Sequence, residues 1–308
     1  MILISEDVWG APFEELSKRR SIHQDPELWN DKEKLIAAVK DAQALVVRNR
    51  TQVTSEIIAA APNLKVIARA GVGLDNIDIK AADAQGVVVV AGLGANAVAV
   101  AELTLALALS LSRDIPNQNQ LTKSGKWLRN PGFEISGKVW GLLGCGATGR
   151  ATAKLLKGFG CQVIGYDPFF KGNEDIQMAN WDQVISTSDF ISVHMPATTE
   201  TIGSVNSKVF SAMKPSAYLI NVGRGELVNE TDLISALKSA EIADAGLDVR
   251  TSEPPTIAEL ETLSNVVLTP HIAGITKESQ AAINKILVDN IELVLSEKPA
   301  THAVGAHK

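Results

Sequence analysis

Short runs made almost wholly of apolar residues punctuate the first third of the chain, at 2–4 (ILI), 44–47 (ALVV), 65–68 (KVIA) and 87–90 (VVVV). Their length and continuity predict strands buried on both faces. Between them, stretches such as 32–40 and 54–60 space their apolar positions with the helical period. Helices alternating with fully buried strands predict a parallel sheet with helices packed over it. The run 97–112, dense in Ala, Leu and Val, predicts a long helix buried on most sides and ended by Arg113 and Asp114 ahead of Pro116. Such a helix either links two domains or packs on a second subunit. Six further strand-like runs follow, at 138–144, 162–167, 189–195, 217–223, 246–249 and 265–270, enough for a second sheet. Residues 276–295 return to helical spacing, and a polar tail holding His302 and His307 closes the chain. No short fixed-period repeat is present, and two successive α/β sets point to two similar folds.

A chain of 308 residues exceeds what one core usually supports, so two domains with a cleft between them are expected. With 45% apolar, 5% aromatic and 21% charged residues, the composition is that of an ordered α/β protein. A net charge of −6 argues against nucleic acid as a partner, since that requires basic stripes. Cys145 and Cys161 are the only cysteines and lie outside any CxxC or Cys/His spacing. No structural zinc, metal site or disulfide framework is therefore expected, and a reducing cytoplasm is the simplest setting. The N-terminus carries acids where a signal peptide carries cations, and no apolar run reaches the roughly 18 residues of a membrane span.

Residues 144–149 read Gly-Cys-Gly-Ala-Thr-Gly, a G-x-G-x-x-G that alone is a weak signal. Its surroundings strengthen it: it follows the strand 139–143, opens a helical stretch, and the next strand ends on Asp167 about 20 residues later. In this fingerprint Gly144 permits the tight turn, Gly146 lets the backbone approach a pyrophosphate, and Gly149 allows helix and strand to pack closely. With Ala147 and Thr148 these residues face phosphate charge at a helix N-terminus. Asp167 suits ribose hydroxyls and repels a 2′-phosphate, which favours NAD over NADP. Arg150 either supports a phosphate or is a solvated helix residue.

Three motifs then follow apolar strands: 221–225 (NVGRG), 248–254 (DVRTSEP) and 269–274 (TPHIAG). Strand carboxyl ends are where open α/β sheets bind ligands. Arg224, Glu253 and His271 would supply a fork for a planar carboxylate, a charge partner and a proton-transfer group.

The chain resembles the D-2-hydroxyacid dehydrogenase family, which includes phosphoglycerate, glycerate, lactate and formate dehydrogenases. The motifs that carry the resemblance are 69–76 (RAGVGLDN), 101–104 (AELT), the glycine loop, His194-Met195-Pro196, Gly223-Arg224-Gly225, Glu253-Pro254 and Pro270-His271. It implies an α/β fold of two Rossmann-like domains. A flavodoxin-like substrate domain would comprise 1–97 plus 283–308, and an NAD-binding Rossmann domain 98–282, with a homodimer held largely by the nucleotide domains. It implies Arg224 as carboxylate and carbonyl anchor, His271 as acid/base and Glu253 as its partner, which favours the charged ring. It also implies that the Val72 and Gly73 amides hold the substrate carboxylate, that Asp248 contacts the nicotinamide amide, and that Pro196, Val222 and Gly274 line the cofactor side. His194 either touches cofactor or caps its strand. Departures from the family pattern are Arg250 for a frequent Phe, Thr148 for a frequent Ile, and Gly223 for Ser or Ala; they bear on loop packing and pocket shape.

Residues 47–51 (VRNRT) place two cations after a strand in an acidic protein. Arg48 would meet a second anionic group on the substrate, while the alternative is ordinary surface ion pairing. The segment resembles the Arg-containing substrate loop of phosphoglycerate dehydrogenases, and 48–53 (RNRTQV) with 94–102 (GANAVAVAE) also resembles the sulfolactate dehydrogenase branch. The expected substrate is thus a small 2-hydroxy or 2-oxo acid bearing phosphate or sulfonate, with a glyoxylate/hydroxypyruvate or D-lactate reductase as the alternative. At this length no C-terminal regulatory extension is expected. An NAD-sensing corepressor-like binding protein is disfavoured by the intact Arg, Glu and His. Proteins like S-adenosylhomocysteine hydrolase or alanine dehydrogenase do not suit that ordered triad.

Overall fold

The computed structural model describes residues 1–307, and the chain folds into two compact units, residues 1–96 with the C-terminal stretch from 275, and residues 97–274. Both are α/β. In the first, β1 (Ile2–Ile4), β2 (Ile22–Gln24), β3 (Ala44–Val47), β4 (Val66–Arg69) and β5 (Val88–Ala91) are parallel, in the order β5-β4-β3-β1-β2. This is the flavodoxin-like order, and its switch point lies between β1 and β3. Every residue of β1 and β3 is buried, as their unbroken apolar runs require.

Two strands of this sheet lie outside the long apolar runs. Strand β2 reads Ile-His-Gln at the sheet edge, and Ala303–Val304 pairs antiparallel with the outer edge of β5. The expected polar tail is thus folded: a 3-10 turn Gly305–His307 follows, with the Ala306 N–H donated to Asp83 at 3.1 Å. Lys308 lies outside the described residues. Helix Lys277–Leu295 starts at a capping box between Thr276 and Ser279. It buries Ile283, Leu287 and Ile291 with apolar side chains of the first sheet. Gly92 makes the close approach possible, since a Cβ there would lie 2.7 Å from Ile283. This helix is unbroken, so residues 282 and 283 lie within it and the second unit closes ahead of it, at Gly274.

The second unit contains β6 (Val139–Leu143), β7 (Gln162–Tyr166), β8 (Gln177–Met178), β9 (Phe190–Val193), β10 (Tyr218–Asn221), β11 (Asp244–Leu247) and β12 (Val266–Leu268). Among the described residues these form one parallel sheet in the order β12-β11-β10-β9-β6-β7-β8. That is the doubly wound order, extended by β12, with its switch point between β6 and β9. The apolar run at 97–112 is helix Ala97–Ser112, with Leu107 over the gap left by Gly246, whose Cβ would sit 3.1 Å away. Asp114, left-handed at φ 49°, breaks it before the next helix, Ile115–Lys123. Among the described residues no helix is long and apolar enough to cross a membrane, and no cluster of three or more metal-ligating side chains occurs.

Candidate active site

The glycine loop leaves β6 at the switch point. Gly144 adopts φ 97°, and a Cβ there would lie 2.9 Å from the backbone of His194 and Met195. A Cβ on Gly149 would lie 2.2 Å from the Gly144 carbonyl oxygen. Both glycines are required by the chain's own packing. Gly146 is not: nothing lies within 4 Å of its Cβ position. It is the N-cap of helix Ala147–Gly158 and provides no side-chain cap for the first-turn amides. Open space beside an uncapped helix N-terminus fits a phosphate group. Half-buried Thr148 contributes its carbonyl to Thr152 Oγ1 inside that helix.

Asp167 follows β7 and bridges two loops, its Oδ2 accepting the Cys145 N–H at 2.8 Å and its Oδ1 the Phe169 N–H at 2.8 Å. Each oxygen keeps a second lone pair for a ribose hydroxyl. Arg150 braces the loop, donating Nη1 to the Cys145 carbonyl at 3.0 Å with its guanidinium 5.5 Å from the Phe170 ring. Burial, aided by the Asp167 charge, pushes the Cys145 thiol up to about 12, which makes it no nucleophile.

Across the switch point, the His194 N–H continues the ladder to the Leu143 carbonyl at 2.7 Å. Its Nε2 lies 3.0 Å from Ser192 Oγ, which also takes the Trp140 Nε1–H at 2.8 Å. An indole only donates, so Ser192 accepts from Trp140 and has its own proton to give to Nε2. Burial pushes the ring down to about 3 and keeps it neutral, and Nδ1 is buried without a hydrogen-bond partner. The following turn is closed by Thr201, whose Oγ1 donates to the carbonyl of exposed Pro196 at 2.7 Å.

At the carboxyl end of β10, Asn221 shapes the arginine turn: its Nδ2 donates to the Arg224 carbonyl at 2.9 Å and its Oδ1 accepts the Gly223 N–H at 3.1 Å. Val222 is buried in this turn. Arg224 is half-buried and donates Nη1 to the Gly223 carbonyl at 2.9 Å. The glycine at 223 stands in a tight spot, with the Val193 carbonyl 3.1 Å from its Cβ position.

Beyond β12, His271 Nδ1 contacts Glu253 Oε2 at 2.6 Å. Their side chains are 47% and 37% exposed, so the pair is open to a ligand. His271 sits at φ 54°, a conformation that costs a residue with a side chain about 1–3 kcal/mol and persists only where its surroundings enforce it. Asp248, buried at the end of β11, does so. Its carbonyl accepts the His271 N–H at 2.7 Å, and its carboxylate accepts Thr269 Oγ1 at 2.6 Å, Ile272 N–H at 2.9 Å and Ala273 N–H at 2.8 Å. Half-buried Gly274 follows directly. The organising roles of Asn221, Ser192 and Trp140 escape sequence reasoning, because none carries reactive chemistry of its own.

In the first unit the switch point holds Glu6 and the loop 48–51. The Glu6 carboxylate accepts four backbone N–H groups, from Arg48 (2.7 Å), Asn49 (3.2 Å), Arg50 (3.0 Å) and Thr51 (3.0 Å). Burial alone would raise its carboxyl, and these donors outweigh it and hold it below the usual range. The two cations then part. Arg50 lies over the Trp29 ring at 4.8 Å, whereas Arg48 lines a cavity of about 220 Å³ with Asp7, Trp9, Ala70, Gln280 and Asn284. Asn76 ties the second loop to the first, donating to the Arg48 and Thr51 carbonyls at 3.2 and 2.7 Å. Val72 and Gly73 lie half-buried in that second loop, after β4.

The second unit thus has the order, glycine turn and acidic strand end of a dinucleotide-binding protein. Residues 105–273, which lie within it, match the NAD binding domain of the D-isomer specific 2-hydroxyacid dehydrogenases, and the chain belongs to that family. It is 40% identical to the D-3-phosphoglycerate dehydrogenase of Mycobacterium leprae over 281 residues, covering 89% of this chain and 53% of that one. The chain spans about half the length of the curated relatives it matches. A solved structure from Thermus thermophilus superposes with a TM-score of 0.91 at 30% identity, covering 99% of both chains. A glyoxylate reductase from Paecilomyes thermophila does so at 0.90 and 26%, covering 100% of this chain and 98% of that one.

The cofactor of this unit is NAD, and Gly146 offers a direct test. Gly146→Asp supplies a good N-cap and sets a carboxylate where a pyrophosphate would lie. NADH affinity should fall at least about a hundredfold, ~2.7 kcal/mol, with the melting temperature of the cofactor-free protein maintained or raised. Titration by NADH fluorescence with unchanged affinity would refute the placement.

Proposed function

We propose that the chain is an NAD-dependent 2-hydroxyacid dehydrogenase whose substrate carries a second anionic group, as 3-phosphoglycerate or 3-sulfolactate does. The His271–Glu253 contact at 2.6 Å carries the first part of this reading. With Nδ1 held by a carboxylate, the neutral ring leaves Nε2 as an acceptor and the charged ring makes it a donor. His271 would take the hydroxyl proton during oxidation and return it to the carbonyl oxygen during reduction, while Glu253 stabilises the positive ring. Bound NAD supplies the hydride acceptor. Arg224 anchors the carboxylate and carbonyl through its planar fork, and the Val72 and Gly73 amides hold the carboxylate from the substrate-binding unit. Asp248 contacts the nicotinamide amide, and Pro196, Val222 and Gly274 line the cofactor side with His194. Asp167 selects against a 2′-phosphate.

Arg48 supports the second anion. It stands at a strand switch point, lines a cavity, and its guanidinium has no internal partner among the described residues, unlike Arg50 against Trp29. A homodimer formed by the nucleotide units is part of the proposal. Ile115, Trp127 and Leu128, 53%, 80% and 52% exposed, place apolar area on one stretch of that unit, suited to a second copy. A reducing cytoplasm fits the two free thiols.

Arg48→Ala, assayed by NADH formation, should lower kcat/KM for 3-phosphoglycerate or 3-sulfolactate on the order of a hundredfold, since a lost charge-assisted contact is worth about 1.5–3 kcal/mol. D-lactate and D-glycerate should change less than about threefold by the same conversion. An equal loss for lactate refutes the second anion. Failure of the unaltered protein to reduce NAD with any of these acids, or to oxidise NADH with glyoxylate or hydroxypyruvate, refutes the dehydrogenase reading.

A further inference from the structure

Arg250 stands three residues past β11, and its side chain is 10% exposed. Its guanidinium forks onto one carboxylate, Nε to Glu230 Oε1 at 3.1 Å and Nη2 to Glu230 Oε2 at 3.0 Å, while Nη1 donates to Glu261. Both glutamates also hold the surrounding backbone. Glu230 Oε1 accepts the Thr251 N–H at 2.8 Å and Glu261 Oε2 the Ala258 N–H at 2.9 Å. Burial would raise Glu230, yet the Arg250 charge and the Thr251 amide hold it low; Arg250 is also the main reason that Glu261 is held at about 2.

The backbone of Arg250 meets the site directly. Its N–H donates to Glu253 Oε1 at 3.0 Å, and the other oxygen of that carboxylate contacts His271 Nδ1. On its other side the arginine turn rests against it, since a Cβ on Gly225 would lie 2.0 Å from the Arg250 carbonyl. One residue therefore touches the support of the acid/base pair and the turn that presents Arg224. A half-exposed Glu–His pair has little rigidity of its own, whereas a forked guanidinium between two carboxylates is geometrically specific.

We propose that Arg250 is a positioning residue: clamped by Glu230 and Glu261, it fixes the loop 250–253 so that Glu253 holds Nδ1 of His271. This rests on the reading of His271 as the acid/base group. The clamp does not touch substrate or cofactor. It acts by keeping His271 Nε2 aimed, so its loss lowers turnover while leaving binding in place.

The test compares Arg250→Met and Glu230→Gln with His271→Asn in the NADH-loaded protein. Glu230→Gln keeps the shape and the Glu261 contact, and decides the matter alone should Arg250→Met fail to fold. In the clamp variants kcat falls on the order of ten- to hundredfold, KM for the acid and Kd for NADH change less than about twofold, and the downfield proton resonance of the His271 ring, identified by its loss in His271→Asn, weakens or moves. Retention of wild-type kcat and of that resonance in the folded clamp variants, with His271→Asn impaired, overturns the proposal. Wild-type turnover in His271→Asn overturns the acid/base reading instead.

Discussion

His271→Asn is expected to lower kcat about 10²- to 10⁴-fold, the contribution of a positioned general acid/base, while NADH still binds with near wild-type affinity. The expectation follows from location and geometry. His271 has left-handed backbone and a ring held at 2.6 Å by Glu253, and it stands beyond the strand end rather than on the glycine loop, which occupies the other side of the β6/β9 switch point. Asn preserves the tolerance for φ near 54°, so the loop survives and the loss reports on the ring. It cannot exchange a proton near neutral pH, so NADH oxidation by 2-oxo acids and NAD reduction by 2-hydroxy acids should both fall, with KM little changed because Arg224 remains. Stopped-flow hydride transfer and NADH fluorescence titration separate the two effects. A variant that turns over within about threefold of wild type, less than 1 kcal/mol of barrier, refutes the assignment.

The parts of the architecture legible from residue order alone are those where one residue type has one physical use. Runs such as ALVV and VVVV can be satisfied only by burial on two faces, and they locate β3 and β5 to within a residue. The glycine fingerprint was legible for the same reason: Gly144 and Gly149 stand where a Cβ would collide with backbone, and Gly146 where the chain leaves space. The edges were not legible. Strand β2 and Ala303–Val304 lie at the two rims of the first sheet; β2 is only partly buried, and the buried Ala303–Val304 pair is two residues long, too short to show a period, so their sequences read as loop and tail. The same limit applies to the loops. Arg48 and Arg50 are equivalent in composition, and only the fold sends one to Trp29 and the other to a cavity. Arg250 read as a departure from pattern, and its meaning emerged from Glu230 and Glu261, which the chain supplies 20 and 11 residues away.

Asp248→Asn should be nearly as damaging as loss of His271, and by a different route. The Asp248 carboxylate is 1% exposed and accepts three donors, the Thr269 hydroxyl and the Ile272 and Ala273 amides. An amide offers one accepting oxygen and turns an NH₂ group toward the remaining side. If the oxygen serves Thr269 and Ile272, the Ala273 N–H faces another donor. If it serves Ala273, the Ile272 N–H does. Either way a backbone donor is left unsatisfied in a buried place, which costs about 1–3 kcal/mol, and charge-assisted bonds roughly twice as strong as neutral ones are lost with it. The same loop must hold His271 against a comparable conformational cost, so losing these bonds frees the residue to relax from φ 54°. Cofactor-free Asp248→Asn should therefore melt several degrees lower, since each kcal/mol is worth about 2–4 °C in a protein of 150–250 residues. Its kcat should fall at least about a hundredfold, as displacement of a reacting group by about 1 Å can cause. If Asp248 acted solely through a nicotinamide contact, the cofactor-free protein would melt at the wild-type temperature and the loss would appear in NADH affinity alone. Thermal melts of the cofactor-free variant, set beside its NADH titration, separate an organiser of the His271 loop from a residue that only meets the cofactor.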